Sequence, residues 1–201
     1  MNIDNIKLWI NNLADVYEEN KDYLSKLDAD IGDADHGINI SRGFKFVKEA
    51  IPNTNDIATL FKTAATALIK NVGGASGPLY GTFFLNAGIV ANKKEDLSLS
   101  DITEIFNKGT NAIAALGKSK AGEKTMLDTL YPALNAMKEN VNDIEKFKEN
   151  VLSAAENGMK STIDMLATKG RASYLGDRSI GHQDPGATSM YMLIKSLMTY
   201  L

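Results

Sequence analysis

The feature that most constrains the fold of this chain is an apolar spacing of three and four residues, which recurs along most of its length. The clearest stretch contains Ile57, Leu60, Phe61, Ala64, Ala65, Leu68 and Ile69. No segment shows the strict alternation of apolar and polar residues that predicts a β-strand. The sequence therefore predicts an all-α fold of eight amphipathic helices, in a single domain spanning residues 1–201.

The predicted helix limits follow from this spacing and from capping residues. In chain order the helices cover approximately residues 3–27, 57–69, 78–91, 101–117, 127–137, 144–166 and 185–201. The second helix, which precedes 57–69, is marked by Phe44, Val47 and Ile51, with its start near His36 and Asn39 and its end at Pro52. Ser100 or Asp101 is the predicted cap of the fifth helix. Asp184 is the predicted cap of the eighth, with Pro185 in its first turn.

Composition excludes several classes of protein. The chain has no cysteine, so disulfides, thiolate nucleophiles and cysteine-ligated metals are absent. A net charge of −3 without a Lys/Arg tract offers no electrostatic footprint for nucleic acid. No apolar run approaches the roughly 18 to 20 residues that span a bilayer, and the N-terminus does not resemble a signal peptide. We expect a cytoplasmic protein that does not contact membranes.

An acidic loop follows the first predicted helix. It reads LDADIGDADHGIN from Leu27 to Asn39 and contains Asp28, Asp30, Asp33 and Asp35. Single aspartates are usually turn residues or helix caps, but so many carboxylates close together repel one another unless a cation lies among them. The loop lacks the bidentate Glu of an EF-hand, which favours Mg²⁺ completed by water and phosphate oxygens. We therefore predict a metal site that accompanies a nucleotide.

Two glycine-rich segments add candidate phosphate contacts. The first, NVGGASGPLYGT, suits a phosphate cradle at a helix start, although close helix packing explains its glycines equally well. It lacks the Lys-Ser/Thr pair of a Walker A loop. The second, GRASYLGDRSIGHQDPG, carries Arg171, which can bind phosphate through its planar fork. His36 and Asn39 are predicted to contact a phosphate or a metal-bound water, and the alternative for His36 is a solvent-facing loop histidine. We expect these segments to converge at one end of a helical bundle.

Four segments together resemble the L subunit, or L domain, of dihydroxyacetone kinases. They are LDADIGDADHGIN, VGGASGPLYGTFF, GEKTMLD and GRASYLGDRSIGHQDPGATS, in the family's order and over nearly the whole chain. The resemblance implies a barrel of eight antiparallel helices that binds ADP or ATP with two Mg²⁺ at one end. It also implies a role for individual residues. The implied metal ligands are Asp28, Asp33 and Asp35, and the implied nucleotide contacts are His36, Asn39, Ala75, Ser76, Gly117, Met126, Arg171, Asp184, Pro185 and Gly186.

The resemblance further implies a phosphotransferase subunit that is active only with partners. In the family, a histidine of a separate K subunit holds dihydroxyacetone, and stand-alone L chains keep ADP bound while a phosphohistidine carrier, the M subunit, rephosphorylates it. In the other branch ATP exchanges, and L is commonly fused to K. We expect the first branch here, because no K-type domain occurs in these 201 residues.

Three alternatives stay open from the sequence. The first is an ATP-dependent L-like domain serving another acceptor, and the second is a regulatory module, since L subunits can contact transcription regulators. The third is a magnesium-dependent phosphohydrolase. The sequence does not decide whether nucleotide is permanently bound, which face meets the carrier, or the oligomeric state. It also leaves the roles of Asp30, Arg178 and His182 open.

Overall fold

The computed structural model describes residues 1–201 and is helical throughout, without a β-strand. The nine α-helices are α1 (Ile3–Glu19), α2 (Lys21–Ile31), α3 (His36–Ala50), α4 (Ile57–Asn71), α5 (Ser76–Val90), α6 (Leu99–Gly117), α7 (Leu127–Asn140), α8 (Ile144–Ser161) and α9 (Pro185–Met198). Two 3-10 segments, Thr162–Asp164 and Arg171–Ser179, lie between α8 and α9. The all-α prediction is confirmed. No helix has both the length and the hydrophobicity to cross a membrane.

The single first helix predicted from the sequence is two helices, which brings the number to nine rather than eight. The break falls at Asn20, whose backbone leaves the helical region at φ −101° and ψ 11°. Its side-chain Nδ2 donates to the carbonyl oxygen of Val16 at 2.8 Å. A second helix, α2, starts at once and brings Asp28 to its last turn.

Two other helix ends differ from their predicted positions. Ser98 caps α6 in place of Ser100 or Asp101, because its hydroxyl accepts from the Asp101 N–H while the Asp101 carboxylate accepts from the Ser98 N–H. Helix α8 ends at Ser161 rather than Leu166, since the chain tightens there into a 3-10 turn. The predicted cap of α9 is confirmed, as Asp184 accepts from the Ala187 N–H at 2.6 Å.

The helices contact one another in a simple order. From α3 onward each helix packs against the next along the chain, ending with α9 on α8. Both α1 and α2 contact α3 and α9, so the pair occupies one position between them. One contiguous cluster of 45 buried apolar residues forms the core. At its centre the Phe84 ring meets those of Phe83 and Phe44, with centroids 5.6 and 5.9 Å apart in edge-on geometry.

A separate small cluster anchors the second 3-10 segment. It contains Ile31 at the end of α2, together with Ala167 and Ala172, and Leu175 packs against it. Since Ile31 lies within the acidic loop, between Asp28 and Asp33, this cluster holds the 3-10 segment beside that loop. Arg171, the first residue of the segment, is thereby brought to the carboxylates.

Candidate functional site

A cavity of about 300 Å³ lies where α2 and α6 end and where α3, α5, α7 and α9 begin. All the site residues predicted from the sequence line it, apart from Asn39. The lining also includes residues that the sequence did not indicate, among them Leu79, Ile113, Ser119, Lys124, Thr125 and Lys169. The expected convergence of the acidic loop with the glycine-rich segments is therefore present in the structure.

Three aspartates of the acidic loop form a compact oxygen cluster. Asp28, Asp33 and Asp35 each place one carboxylate oxygen within 4.8 Å of the other two. Asp28 is buried, Asp35 half-buried and Asp33 exposed. Because all the donors are carboxylate oxygens, the set suits a hard divalent cation such as Mg²⁺ and has no nitrogen or sulfur to favour zinc. The residues present therefore fit the implied metal.

The shape of the loop depends on Asp28. Its Oδ2 accepts from the backbone N–H of Asp35 at 2.8 Å and of His36 at 3.2 Å, which folds the loop back over the end of α2. A Cβ at Gly32 would lie only 2.1 Å from Asp28 Oδ1, so this close turn requires glycine. Asp28 thus serves the capping role open to any aspartate and also contributes to the oxygen cluster.

His36 is buried and uncharged at neutral pH. Only 8% of the residue is exposed, and burial lowers its pKa to about 4 although the Asp28 carboxylate acts in the opposite direction. The solvent-facing alternative considered for this histidine is therefore wrong. A neutral imidazole has one donor and one acceptor nitrogen, so its partners decide what it offers to a ligand.

A chain of hydroxyl groups fixes the His36 tautomer. Ser189 Oγ donates to the Gly186 carbonyl at 3.1 Å and accepts from the Tyr80 hydroxyl at 2.8 Å. With that proton directed to Gly186, the imidazole is the donor in the 2.8 Å contact between His36 Nε2 and Ser189 Oγ. The network therefore assigns the proton to Nε2, which leaves Nδ1 to accept from the Ser76 hydroxyl 3.2 Å away.

Arg171 reaches across the cavity mouth to the acidic loop. Its Nη2 lies 3.0 Å from Asp33 Oδ2, and 69% of the arginine side chain is exposed. An ion pair so open to water contributes at most about 1 kcal/mol. The guanidinium can therefore exchange this carboxylate for a phosphate, which it binds through two parallel hydrogen bonds.

Asp184 sits at the inner side of the site. Burial raises its pKa to about 7, and the nearby Asp128 and Asp28 carboxylates add to this effect. The Ala187 N–H and the Lys124 ammonium act against it. Without a cation, the folded protein therefore holds a carboxyl group that prefers to be protonated near neutral pH.

We predict that Asp184→Asn stabilises the metal-free protein at pH 8 by about 2 to 4 kcal/mol. The raised pKa means that the folded state binds this proton more tightly than the unfolded state, so wild-type stability falls as pH rises from about 4 to 7. Asparagine removes the charge and still caps α9. Urea unfolding in EDTA at pH 8 and at pH 4 measures the effect, which should disappear at the lower pH. Equal stability of the two proteins at pH 8 would contradict it.

The opposite wall is the connection between α6 and α7. The Asp128 carboxylate accepts from the backbone N–H of Gly122 at 2.5 Å and of Thr125 at 2.7 Å, which holds this connection in a tight turn. Met126 follows the turn, and its Cε would lie 3.8 Å from a Cβ at Gly186. The walls formed by Met126 and by the Asp184 turn therefore approach each other closely.

Four polar residues named in the sequence lie outside the cavity lining. Asn39 is buried one turn into α3, where its Oδ1 accepts from Arg42 Nη2 at 2.8 Å. Asp30 is exposed, and its Oδ2 lies 3.6 Å from His182 Nδ1. Arg178 is also exposed. Asn39 nevertheless lies directly behind the lining, since its Oδ1 is 3.1 Å from the Cβ position of Gly73, and it stays a predicted nucleotide contact.

Sequence reasoning missed two residues that shape the site. Lys124 is 1% exposed, and no local pattern predicts burial of a lysine. Ser189, fully buried, lies among the inward-facing apolar positions of α9. A serine at such a position was the one available signal, because a buried hydroxyl needs a partner.

The fold and site define a class of protein. An all-α chain that presents a carboxylate cluster, helix N-termini and an arginine to one cavity is suited to hold a divalent cation together with an anionic ligand. The chain belongs to the DAK2 domain family, whose model matches residues 30–199.

Relatives of similar length have been characterised. The chain is 41% identical over 194 residues to the ADP-binding subunit DhaL of the PEP-dependent dihydroxyacetone kinase of Escherichia coli K12, covering 94% of this chain and 92% of that protein. It is 44% identical over 192 residues to the corresponding subunit of dihydroxyacetone kinase 1 of Listeria innocua, with the same coverage.

A solved structure supports the fold. The dihydroxyacetone kinase of C. freundii, in complex with AMP-PNP and Mg²⁺, superimposes with a TM-score of 0.74 over 96% of this chain and 33% of that one. The two sequences are 24% identical, so this similarity concerns the fold alone.

Proposed function

We propose that this chain is the nucleotide-binding L subunit of a phosphotransferase-linked dihydroxyacetone kinase. In this role it would carry ADP with two Mg²⁺ and relay a phosphoryl group from a phosphohistidine carrier, the M subunit, to dihydroxyacetone on a K subunit. The observation that carries the proposal is identity of about 40% over nearly the full length of proteins named as ADP-binding subunits.

We propose that the helices form the family's antiparallel eight-position barrel and that residues 1–201 are one L-type domain. The order of helix contacts supports this, because it returns from α9 to the position shared by α1 and α2. The break at Asn20 then divides one position of the barrel between two helices without adding a ninth. The cavity lies at one end of this arrangement.

The metal ions would be held by Asp28, Asp33 and Asp35. One carboxylate oxygen of each lies within 4.8 Å of the other two. Arg171 is the one cation paired with the cluster, through an exposed contact that a phosphate can replace. These features support a site in which cation and phosphate bind together.

The nucleotide would contact the remaining lining residues. Ala75 and Ser76 lie at the start of α5, where free backbone N–H groups favour phosphate. Gly117 and Met126 would flank the adenosine, and the turn of Asp184, Pro185 and Gly186 would close the far side. We propose His36 as a contact on the phosphate side, acting through the Ser76 hydroxyl that it orients.

When bound, the nucleotide supplies the transferable phosphoryl group and Mg²⁺ offsets the charge on its oxygens. The chain itself would position the nucleotide and help to neutralise its charge. We expect no general base from this chain, because the acceptor would be held on the K subunit and phosphoryl transfer depends mainly on positioning and on charge neutralisation. In this proposal the chain presents a reactant to a partner instead of acting alone.

Native mass spectrometry of the purified chain tests cofactor binding directly. We expect a mass increase of one ADP and two Mg²⁺, which EDTA removes. A chain that copurifies without nucleotide and does not bind ADP with Mg²⁺ in calorimetry would contradict the proposal.

Reconstitution tests the reaction and its branch. K-type and M-type subunits should phosphorylate dihydroxyacetone from PEP only when this chain is added. Activity with ATP but not with PEP would place the chain in the ATP-dependent branch, and hydrolysis of phosphate esters by the chain alone would favour a phosphohydrolase.

A further inference from the structure

Lys124 is a buried lysine whose ammonium group has backbone carbonyls as its partners. Nζ donates to the carbonyl oxygen of Thr162 at 2.5 Å, of Met165 at 3.3 Å, of Ile163 at 3.5 Å and of His182. It takes part in none of the ion pairs of the structure. Buried lysines normally pair with carboxylates. A buried lysine held by carbonyls alone therefore indicates a specific structural role at this position.

The four carbonyls belong to two separate segments. Three of them, those of Thr162, Ile163 and Met165, lie just beyond the end of α8, in and after a 3-10 turn. The fourth, that of His182, lies on the segment that leads to Asp184. Lys124 itself lies on the connection between α6 and α7, so one ammonium group joins three parts of the chain.

Few other contacts link this connection to the two segments. The Glu123 carbonyl accepts from the Thr168 N–H at a long 3.4 Å, and its carboxylate lies 3.9 Å from Lys169 Nζ. The Lys124 bonds to the Thr162 and His182 carbonyls are shorter than either contact. The other two segments also contact each other directly, because the Gly181 N–H donates to the Ile163 carbonyl oxygen at 2.8 Å and the Asp184 N–H donates to Thr162 Oγ1 at 3.1 Å. Lys124 is therefore the main link between the α6–α7 connection and this pair of segments.

The backbone at Lys124 is held in an uncommon conformation. Its φ of 60° lies in the left-handed region, which a lysine seldom adopts. Asp128 stabilises the turn around it by accepting from Gly122 and Thr125. This conformation directs the side chain inward, and strain of this kind persists where surrounding contacts require it.

The segments joined by Lys124 carry the two walls of the cavity. Met126 lies two residues after Lys124, and Asp184 two residues after His182. The walls come within van der Waals reach of each other between Met126 and Gly186. We propose that Lys124 is a positioning residue whose ammonium group fixes the spacing of these two walls, so that the cavity is already shaped for a nucleotide. The proposal rests on the proposed function, because it assumes that a nucleotide binds between these walls.

Lys124→Met tests the proposal by removing the ammonium group while keeping the length of the side chain. We expect the Kd for ADP in Mg²⁺ to rise by about 10- to 100-fold, the range typical when a residue that orients binding groups is lost. Val151→Ala, a core change on α8 outside the cavity lining, is the control for lost stability and should keep wild-type affinity. If Lys124→Met does not fold, Lys124→Gly replaces it, since glycine suits the φ of 60°.

Because the chain has no cysteine, a single cysteine introduced at position 124 can be modified selectively. Restoring an ammonium group there tests that group itself, which a general loss of stability would not do. Because position 124 is buried, Lys124→Cys is alkylated with 2-bromoethylamine while unfolded in urea and is then refolded. The reaction forms one C–S bond and releases a proton and bromide, giving a lysine analogue at position 124 alone. We expect this product to recover most of the wild-type affinity, whereas the S-methylated variant should not.

The outcomes separate this inference from the proposed function. Failure of the wild-type chain to bind ADP with Mg²⁺ would overturn the proposed function and the inference with it. Wild-type binding that Lys124→Met retains would overturn only the inference. Lost affinity that the aminoethylated variant does not recover would also overturn it, because the ammonium group would then not be the cause.

Discussion

Asp33→Asn raises the Kd for ADP in the presence of Mg²⁺ by at least about 100-fold, which corresponds to roughly 3 kcal/mol. The substitution keeps the shape of the side chain but removes one of three carboxylates gathered within 4.8 Å. It also frees Arg171, which would by itself favour a phosphate ligand. A loss of affinity for ADP is therefore due to weaker metal binding and not to the release of Arg171. Calorimetry with Mg²⁺ and with EDTA measures both effects.

Asp30→Asn is the matched control. It makes the same change of charge three residues earlier, on an exposed carboxylate outside the cavity lining. We expect its Mg²⁺-dependent affinity to equal that of the wild type. Retention of wild-type affinity by Asp33→Asn would contradict the assignment of the metal ligands.

Gly37→Ala lowers the free energy of unfolding by about 3 kcal/mol or more. An added Cβ would lie 2.0 Å from the Lys21 carbonyl oxygen and 2.8 Å from the Ser25 backbone nitrogen, so no side-chain rotation relieves the overlap. The start of α3 must then move away from α2, taking His36 with it. We expect the melting temperature to fall by about 6 to 12 °C, measured by circular dichroism.

Gly117→Ala is the control for Gly37→Ala. It shows whether the lower stability comes from the steric overlap at position 37 or follows from replacing any glycine by alanine. A Cβ at Gly117 would meet nothing nearer than 3.8 Å, and alanine favours a helix more than glycine does. The melting temperature of this variant should equal or exceed that of the wild type. Wild-type stability of Gly37→Ala would show that α2 and α3 tolerate a wider separation.

The helices were largely predictable because their signals are local. The apolar spacing that predicted a helix over 57–69 corresponds to α4, and the Asp-Pro start of α9 lies where predicted. The break at Asn20 was not predictable, since neither proline nor glycine marks it. Ser98 was missed as a cap because its partner, Asp101, was itself interpreted as one.

The site was predictable to the extent that its residues are concentrated in short motifs. The acidic loop and the glycine-rich segments carry chemistry that the sequence displays directly, and the structure brings them to one cavity. Asn39 belongs to the same motif but points to Arg42, because one helical turn separates it from the cavity. Whether each of these residues binds nucleotide or metal stays a prediction until the binding experiments are done.

The sequence by itself determined the helical fold, the carboxylate loop with its preference for a hard cation, and the segments that border the cavity. It could do so because periodicity, capping and charge density act over a few neighbouring residues. The tertiary structure alone decided that His36 is neutral, that Ser189 orients it, and that Lys124 joins three segments. Those properties depend on burial and on partners as many as 153 residues away in the chain, which no local pattern encodes.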